Sequence, residues 1–346
     1  MTFRCDSVQL GLVHKRIFLK GNAVTDQGKK RQNLKFLWFL GGAVYGVFLR
    51  YIFDVLPSSV EGPMSVAFLI GTPLIVGALT VYGHRGPHLK VSQMIVLPWV
   101  TTGLMLIGTA LALLEGSICI AIMSPLFLLC ASLGGLAMGG CLKLLSKDSK
   151  ALLSVAFLPY LILFFEAELP LIDRNIEIVE SVVVEATPSV IWEQILTAKE
   201  IDADELPLSL THIIGVPKPL EGVNLIEGAQ EVRYSIWERG VNFKAIVKDR
   251  KENETISWTY HFDENSFPKG SMDDHVAIGG KYFDLHDTRF SLRPLSATST
   301  KLTIIANYRI TSAISFYAIP ASKVLGRDFV KTILGLYKHR SEQVTA

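Results

Sequence analysis

The feature that most constrains this chain is a series of apolar segments between residues 36 and 165. Five segments can be drawn: 36–53, 64–82, 91–114, 117–142 and 151–165. A helix needs about 20 apolar residues to cross the hydrocarbon core of a bilayer, and the first four segments are long enough. The fifth is shorter and contains Pro159, so it is either a thin span or an interfacial helix. We therefore predict an N-terminal α-helical transmembrane bundle of four to five spans.

Charges between these segments predict an orientation. Residues 1–35 form a basic tail without the apolar core of a signal peptide, residues 54–63 carry only acidic charges, and residues 143–150 carry three lysines to one aspartate. Because cytoplasmic loops are enriched in Lys and Arg, we predict a cytoplasmic N-terminus. If all five segments span, the C-terminal half lies on the outer face, which is the periplasm in a Gram-negative bacterium, and we favour this arrangement. If the fifth is interfacial, that half is cytoplasmic.

A few residues within the spans are candidates for specific roles. Arg50 lies one helical turn before Asp54, so the two can pair. We interpret Arg50 as a side chain that snorkels at the membrane edge, and a transport pathway is the alternative. Two pairs of small residues allow close helix packing, and also an oligomer through the same faces: Gly42 with Gly46, and Gly135 with Gly139.

Composition excludes several classes of function. The formal net charge is +2 and no basic stripe with interleaved aromatic residues occurs, so a nucleic-acid partner is not expected. The sequence has four cysteines and no pair with metal-ligand spacing beside a histidine cluster. No Ser-His-Asp order, zinc-protease motif or phosphate-binding glycine loop is present. We predict no metal and no cofactor.

From residue 176 the pattern becomes that of a soluble α+β domain. The stretch "IEIVESVVVEA" is rich in β-branched residues and predicts a strand, after which Thr187 and Pro188 suit the first turn of a helix. A short helical or turn region follows through 200–214. Further strands are predicted at 229–237, 241–249, 255–262, 279–293 and 299–311, and a long helix at 314–341. A sheet of this length must curl around the one long helix to bury its inner face.

The stretch "VVVEATPSVIWEQI" resembles the opening of the START-like helix-grip superfamily (SRPBCC), which includes polyketide cyclases/dehydrases and lipid-transport proteins. "EGAQEVRYSIWERGVNFKAIV", "LTIIANYRI" and "FYAIPASKVLGRDFVKTILGLYKHRSE" fit the same pattern. The resemblance implies a curved antiparallel sheet wrapped around a long C-terminal helix, with a cavity between them. The layout as a whole resembles a group of bacterial membrane proteins of unknown activity, which implies a location in the bacterial inner membrane.

Four regions follow: a basic tail (1–35), a transmembrane region (36–165), a short tether (166–175) and the START-like domain (176–343).

Polar and aromatic residues of the predicted strands and helix are the candidates for a site. Period-two alternation places Tyr282, Asp284, His286, Thr288 and Phe290 on one face of a strand, and an Asp284–His286 pair is a candidate for acid–base catalysis. Arg233 and Arg309 are candidates for binding a carboxylate or phosphate head group, or else are surface ion-pair partners. The remaining ligand-binding candidates are Tyr308, Trp258, Tyr282 and Phe329.

Three functions remain open. The first is a membrane-anchored domain that binds an apolar or amphipathic small molecule, including a lipid, with membrane lipids as partners. The second is a cyclase/hydratase-type enzyme in the same cavity, and the third a membrane-tethered sensor or interaction module.

Overall fold

The structure, a computed structural model, describes residues 35–55, 62–86, 89–144, 171–273 and 277–345. Most of the basic tail (1–35), the fifth apolar segment (151–165) and the first half of the tether (166–175) lie outside the described residues, so the predictions about them stay predictions. The described residues divide between two compact units. One takes them from Met1–Pro57, Ala67–Leu111 and Phe127–Leu163, and the other from Ser58–Val66, Ala112–Leu126 and Phe164–Ala346.

Four apolar helices form in the N-terminal half: α1 (Lys35–Val55), α2 (Ala67–Gly83), α3 (Val91–Leu111) and α4 (Ser117–Leu144). Of the helices in the described residues, α1, α3 and α4 are long and apolar enough to cross a membrane. The prediction that the second segment is long enough is wrong, because α2 consists of 5 residues of π-helix followed by 12 of α-helix. At 1.5 Å per residue it is about 26 Å long, against about 30 Å of hydrocarbon. The residues that the structure describes therefore contain three candidate spans, where four of the four to five predicted segments lie.

The glycine pairs pack helices of the same chain against one another. A Cβ at Gly42 would lie 2.8 Å from Thr101 Cγ2 of α3, and one at Gly135 would overlap the main-chain oxygen of Met94 on α3. The absence of a side chain lets the backbones approach. These faces are thus used inside the first unit, and an oligomer through Gly42, Gly46, Gly135 and Gly139 stays a prediction.

Arg50 and Asp54 pair as the i, i+4 spacing predicts, with 3.1 Å between Arg50 Nη1 and Asp54 Oδ1. The Arg50 side chain is only 1% exposed, and its guanidinium lies 5.9 Å from the ring centre of Phe68. The guanidinium is therefore not solvated, as that of a snorkelling side chain would be, and the position of Arg50 at a membrane edge stays a prediction. Its side chain lies inside the packed helices, where the aromatic ring and the carboxylate stabilise its charge.

The second unit is built on a curved eight-stranded antiparallel sheet in the order β1-β8-β7-β6-β5-β4-β3-β2. The strands are β1 (Ile172–Val184), β2 (Thr197–Ala198), β3 (Pro219–Glu227), β4 (Gln230–Trp237), β5 (Asn242–Lys251), β6 (Thr255–His261), β7 (Phe283–Pro294) and β8 (Thr300–Ser312). The helices are α5 (Pro188–Leu196), α6 (Leu210–Ile213) and α7 (Ser315–Thr345). This arrangement fits the predicted helix-grip fold.

The interior of this domain lies between the sheet and α7, which packs against β1 and β8. Alternate residues of β8 are buried there, namely Leu302, Ile304, Ala306, Tyr308 and Ile310, as the period-two pattern predicts. Pro188 begins α5 directly after the extended Thr187. Two strands were not predicted from the sequence. β2 has only 2 residues, and β3 contains Pro219 and Gly222, which are both poor strand formers.

Candidate functional site

The two halves of α7 differ in burial. All of its buried residues lie in the second half: Val330, Thr332, Leu334, Leu336, Tyr337 and Ser341. No residue of 315–329, all of which the structure describes, is buried, although Ala318 and Ile319 pack against the core. The first half of α7 is therefore more exposed to solvent than the second half.

Aromatic side chains of the sheet contact the end of this half at Phe329. Phe329 of α7 stacks on Trp237 of β4 with ring centres 5.4 Å apart, and Trp237 contacts Phe243 of β5 at 5.3 Å. Phe243 in turn contacts Tyr260 at 5.8 Å and Phe262 at 5.5 Å. We call these five residues the aromatic cluster. They offer a largely apolar surface with two polar side-chain atoms, Trp237 Nε1 and the Tyr260 hydroxyl. The Tyr260 hydroxyl donates to Thr288 Oγ1 at 2.9 Å.

Deeper in the interior lies a positive charge. Arg233 of β4 is 6% exposed, and its guanidinium donates to Ile195 O at 2.6 Å, Asn224 Oδ1 at 2.9 Å and the Tyr337 hydroxyl at 3.0 Å. The guanidinium also lies 4.8 Å from the ring centre of Trp258. All these partners are neutral. Burying a cation among neutral groups is costly, which makes this site attractive to an anion.

The charges around Arg233 do not balance. Asn224 Nδ2 donates to Glu231 Oε1 at 3.0 Å, and the other carboxylate oxygen of Glu231 pairs with Arg250 at 2.8 Å. This network thus holds two guanidinium groups and one carboxylate. Gly222 on β3 provides the space for it, since a Cβ there would overlap Nη2 of Arg233.

Burial changes the chemistry of two interior phenols. It raises the pKa of Tyr260, an effect that the hydrogen bond to Thr288 partly offsets. It also raises the pKa of Tyr308, whose hydroxyl donates to Ser322 Oγ of α7 at 3.2 Å. Both phenols therefore remain protonated and act as neutral hydrogen-bonding groups at neutral pH.

Four of the ligand-binding candidates face the interior. Arg233 and Trp258 lie close together, Phe329 belongs to the aromatic cluster, and Tyr308 contacts the ring of Phe283 at 5.6 Å. The structure brings them to the same side of the sheet as α7. Their roles in binding stay predictions.

Asp284 and His286 lie elsewhere. A register shift between Leu285 and Asp287 interrupts the alternation of β7, so the predicted common face for Tyr282, Asp284, His286, Thr288 and Phe290 is wrong. Phe283 and Leu285 pack on the core, whereas Asp284 pairs across the ladder with Arg309. His286 Nε2 lies 3.4 Å from Asp284 Oδ2, with the two side chains 40% and 32% exposed. The two candidates for catalysis are thus neighbours in a solvated position.

Arg309 holds a neighbouring segment of the chain. Its guanidinium donates to the main-chain oxygens of Lys281 at 3.0 Å and Gly280 at 3.1 Å, and lies 3.6 Å from Asp173 Oδ1. The main-chain oxygen of Tyr282 accepts from Thr311 N at 2.9 Å, and Lys281 Nζ lies 5.6 Å from the Tyr282 ring centre. Arg309 therefore has a structural role on the outer side of the sheet, where it is separated from Arg233.

Several residues of the interior were not predicted from the sequence. Tyr337 and Asn224 complete the shell of Arg233, and His212 of α6 contacts Phe329 with ring centres 6.0 Å apart. No sequence signal pairs residues so far apart in the chain. Among the residues that the structure describes, no group of three or more His, Cys, Asp or Glu side chains could hold a metal ion.

The fold and this interior define an α+β helix-grip domain with an apolar end and a cationic end. Solved structures similar to this chain include the Zhui aromatase/cyclase from a Streptomyces species, with 14% identity, a TM-score of 0.33, and coverage of 50% of this chain and 97% of that one. A START superfamily protein from Mycobacterium smegmatis has 17% identity and a TM-score of 0.33, covering 49% and 98%. Truncated norcoclaurine synthase from Thalictrum flavum has 9% identity and a TM-score of 0.30, covering 51% and 96%.

No protein-family model matches the sequence. No curated protein sequence matches it either.

Proposed function

We propose that the C-terminal domain binds a hydrophobic or amphipathic small molecule between the sheet and α7. The observation that carries this proposal is the lack of buried residues along 315–329 of α7, opposite inward-facing aromatic side chains. Apolar surface left partly open inside a domain is favourable for a ligand that removes it from water, at about 25 cal/mol per Å².

The two ends of the interior favour an amphipathic ligand. The aromatic cluster suits a hydrocarbon body, and Arg233 suits a carboxylate or phosphate head group, because its own partners are neutral. A membrane lipid has both parts. Three apolar helices in the same chain are long enough to anchor the domain at a bilayer, the source of such a ligand.

The binding experiment uses the full chain in detergent, analysed by native mass spectrometry with dodecanoate as the probe. Ala318→Trp inserts a large ring on the inward side of α7, and Val324→Trp inserts the same ring at an exposed position of that helix. We expect the wild type and Val324→Trp to bind dodecanoate and Ala318→Trp to lose it. Absence of binding to the wild type, or equal binding to all three proteins, contradicts the proposal.

The membrane arrangement is part of the same proposal: a bacterial inner-membrane protein with a cytoplasmic N-terminus and a periplasmic C-terminal domain. Its support is the alternation of basic and acidic segments along the sequence. A C-terminal alkaline phosphatase fusion is then active, and a C-terminal green fluorescent protein fusion is dark. The reverse pair of results places the domain in the cytoplasm and refutes this arrangement.

A cyclase/hydratase-type enzyme is a second candidate. The 3.4 Å contact between His286 and Asp284 is the observation that favours it. It requires turnover that falls by about 100-fold or more in His286→Ala, the contribution typical of a general acid or base. Turnover that survives both His286→Ala and Asp284→Ala excludes this pair from catalysis.

A further inference from the structure

His212 on the short helix α6 has one ring nitrogen whose role is defined. Its Nδ1 lies 3.0 Å from the main-chain oxygen of Val216. A carbonyl oxygen only accepts hydrogen bonds, so Nδ1 carries the hydrogen. In the neutral ring, Nε2 therefore has a free lone pair and acts as an acceptor.

This acceptor is buried without a partner. His212 Nε2 has no hydrogen-bond partner among the residues that the structure describes, and it is shielded from solvent. Leaving a buried polar atom without a hydrogen bond is unfavourable, so a donor that reaches it gains a favourable interaction. The arrangement favours a molecule that brings its own O–H or N–H group.

The position of His212 is held by α7. Asp328 Oδ2 accepts from Ser209 Oγ at 2.6 Å, from Thr211 N at 2.8 Å and from Thr211 Oγ1 at 2.6 Å. Thr211 Oγ1 also lies 3.2 Å from Leu325 O. The carboxylate of Asp328 thus holds the residues on both sides of Leu210, the first residue of the four-residue helix α6. A binding group held by such contacts is positioned before the ligand arrives.

The His212 ring contacts an aromatic side chain. Its ring meets Phe329 edge-on, with ring centres 6.0 Å apart, and Phe329 stacks on Trp237. The acceptor therefore lies beside the aromatic cluster, and a ligand whose apolar body lies against Phe329 and Trp237 can place its polar end near Nε2.

We propose that His212 Nε2 accepts a hydrogen bond from the ligand, which is thereby a molecule with an apolar body and a terminal hydroxyl or other hydrogen-bond donor. This inference rests on the proposed function and narrows its ligand class. It assigns to His212 the recognition of a hydrogen-bond donor on the ligand. This role is separate from that of Arg233, which suits an anionic head group.

The test compares two probes that differ only in the donor: 1-dodecanol and its methyl ether. Binding to the full chain in detergent is measured by displacement of a fluorescent fatty-acid analogue. We expect the wild type to bind the alcohol about 10-fold more tightly than the ether, the ratio that corresponds to one buried hydrogen bond.

Three variants test whether Nε2 of His212 is the acceptor that the alcohol contacts. His212→Phe keeps a ring and removes the nitrogen, so the ratio falls to about 1, whereas His212→Gln restores an acceptor and part of the preference. His339→Phe is the matched control on the exposed part of α7, and it keeps the wild-type ratio. Hydrogen exchange of β8 confirms that each variant is folded.

The outcomes separate the two proposals. Displacement by neither probe in the wild type refutes the proposed function. Displacement by both probes with equal affinity in the wild type, or a preference for the alcohol that persists in folded His212→Phe, leaves the proposed function intact and overturns the assignment of His212.

Discussion

Arg340 near the end of α7 pairs with Glu205 in the segment between α5 and α6, with 2.8 Å between Arg340 Nη2 and Glu205 Oε1. A second contact joins Arg340 Nε to Glu205 Oε2, and Arg340 Nη2 also donates to Glu200 O at 3.0 Å. The two side chains are 14% and 15% exposed. This bidentate pair fastens the segment that precedes α6 to the long helix.

Glu205→Gln is expected to lower the free energy of unfolding of the C-terminal domain by about 1–2 kcal/mol at pH 7, since it removes a charge-assisted pair. The hydrogen bond from Arg340 lowers the pKa of Glu205. The pair therefore stabilises the fold above the unfolded pKa of about 4.3, and this stability is lost as the pH falls through the lower folded value.

Denaturation at pH 7 and at pH 3 measures the difference in the free energy of unfolding between wild type and Glu205→Gln. The control Glu227→Gln removes an exposed carboxylate 3.9 Å from Lys244 and has little effect. An equal loss at both pH values contradicts this account.

Asp328→Asn is expected to loosen α6 from α7. Burial raises the pKa of Asp328, but the hydrogen bonds from Ser209 and Thr211 lower it by more, so the carboxylate is stabilised as an anion in the fold. Its contribution is present above the unfolded pKa of about 3.9 and is lost as the pH falls through the folded pKa. Hydrogen exchange over residues 209–216 at pH 7 should accelerate about 10-fold in Asp328→Asn, for a loss of about 1.4 kcal/mol. Asp204→Asn, at an exposed site, is the control, and unchanged exchange in Asp328→Asn refutes the anchoring role.

Gly222→Ala is expected to displace the guanidinium of Arg233, because the new Cβ overlaps Nη2 and lies 3.1 Å from Cζ. We expect a loss of about 1–3 kcal/mol in the free energy of unfolding. In an Arg233→Met background the same change should cost less, since the shorter unbranched side chain can move away. A double-mutant cycle measures this coupling. Additive effects would show that Gly222 does not provide the space for the Arg233 guanidinium.

Gly135→Ala is expected to destabilise the helical unit, because the added methyl group overlaps the main-chain oxygen of Met94, which is held in α3. Gly140→Ala on the same helix meets no atom within 4 Å and is the matched control. Heating in detergent followed by size-exclusion chromatography should show aggregation of Gly135→Ala at a lower temperature than that of Gly140→Ala or the wild type. Equal behaviour of the two variants contradicts the packing described for Gly135.

How well a strand could be predicted depended on how regular its pairing with the neighbouring strands is. The inner face of β8 could be predicted from its sequence. Its pairing with β1 contains no register shift, so its residues alternate between the two faces of the sheet. The faces of β7 could not be predicted, since the shift between Leu285 and Asp287 comes from pairing with β8 and has no marker in the local pattern. That one shift separates Asp284 from Thr288 and Phe290, with which the sequence had grouped it.

Among the residues that the structure describes, the sequence by itself predicted the four apolar segments that form helices, six of the eight strands, and the long helix that follows them. These properties depend on the local spacing and length of apolar runs. Only the tertiary structure decided that α2 is too short to be a full span, that Arg50 is buried, and that His212, Phe329 and Trp237 meet at one end of the interior. The burial of Arg50 and the meeting of His212, Phe329 and Trp237 depend on contacts between side chains far apart in the chain. Such contacts are determined by packing, which leaves no periodic signal in the sequence.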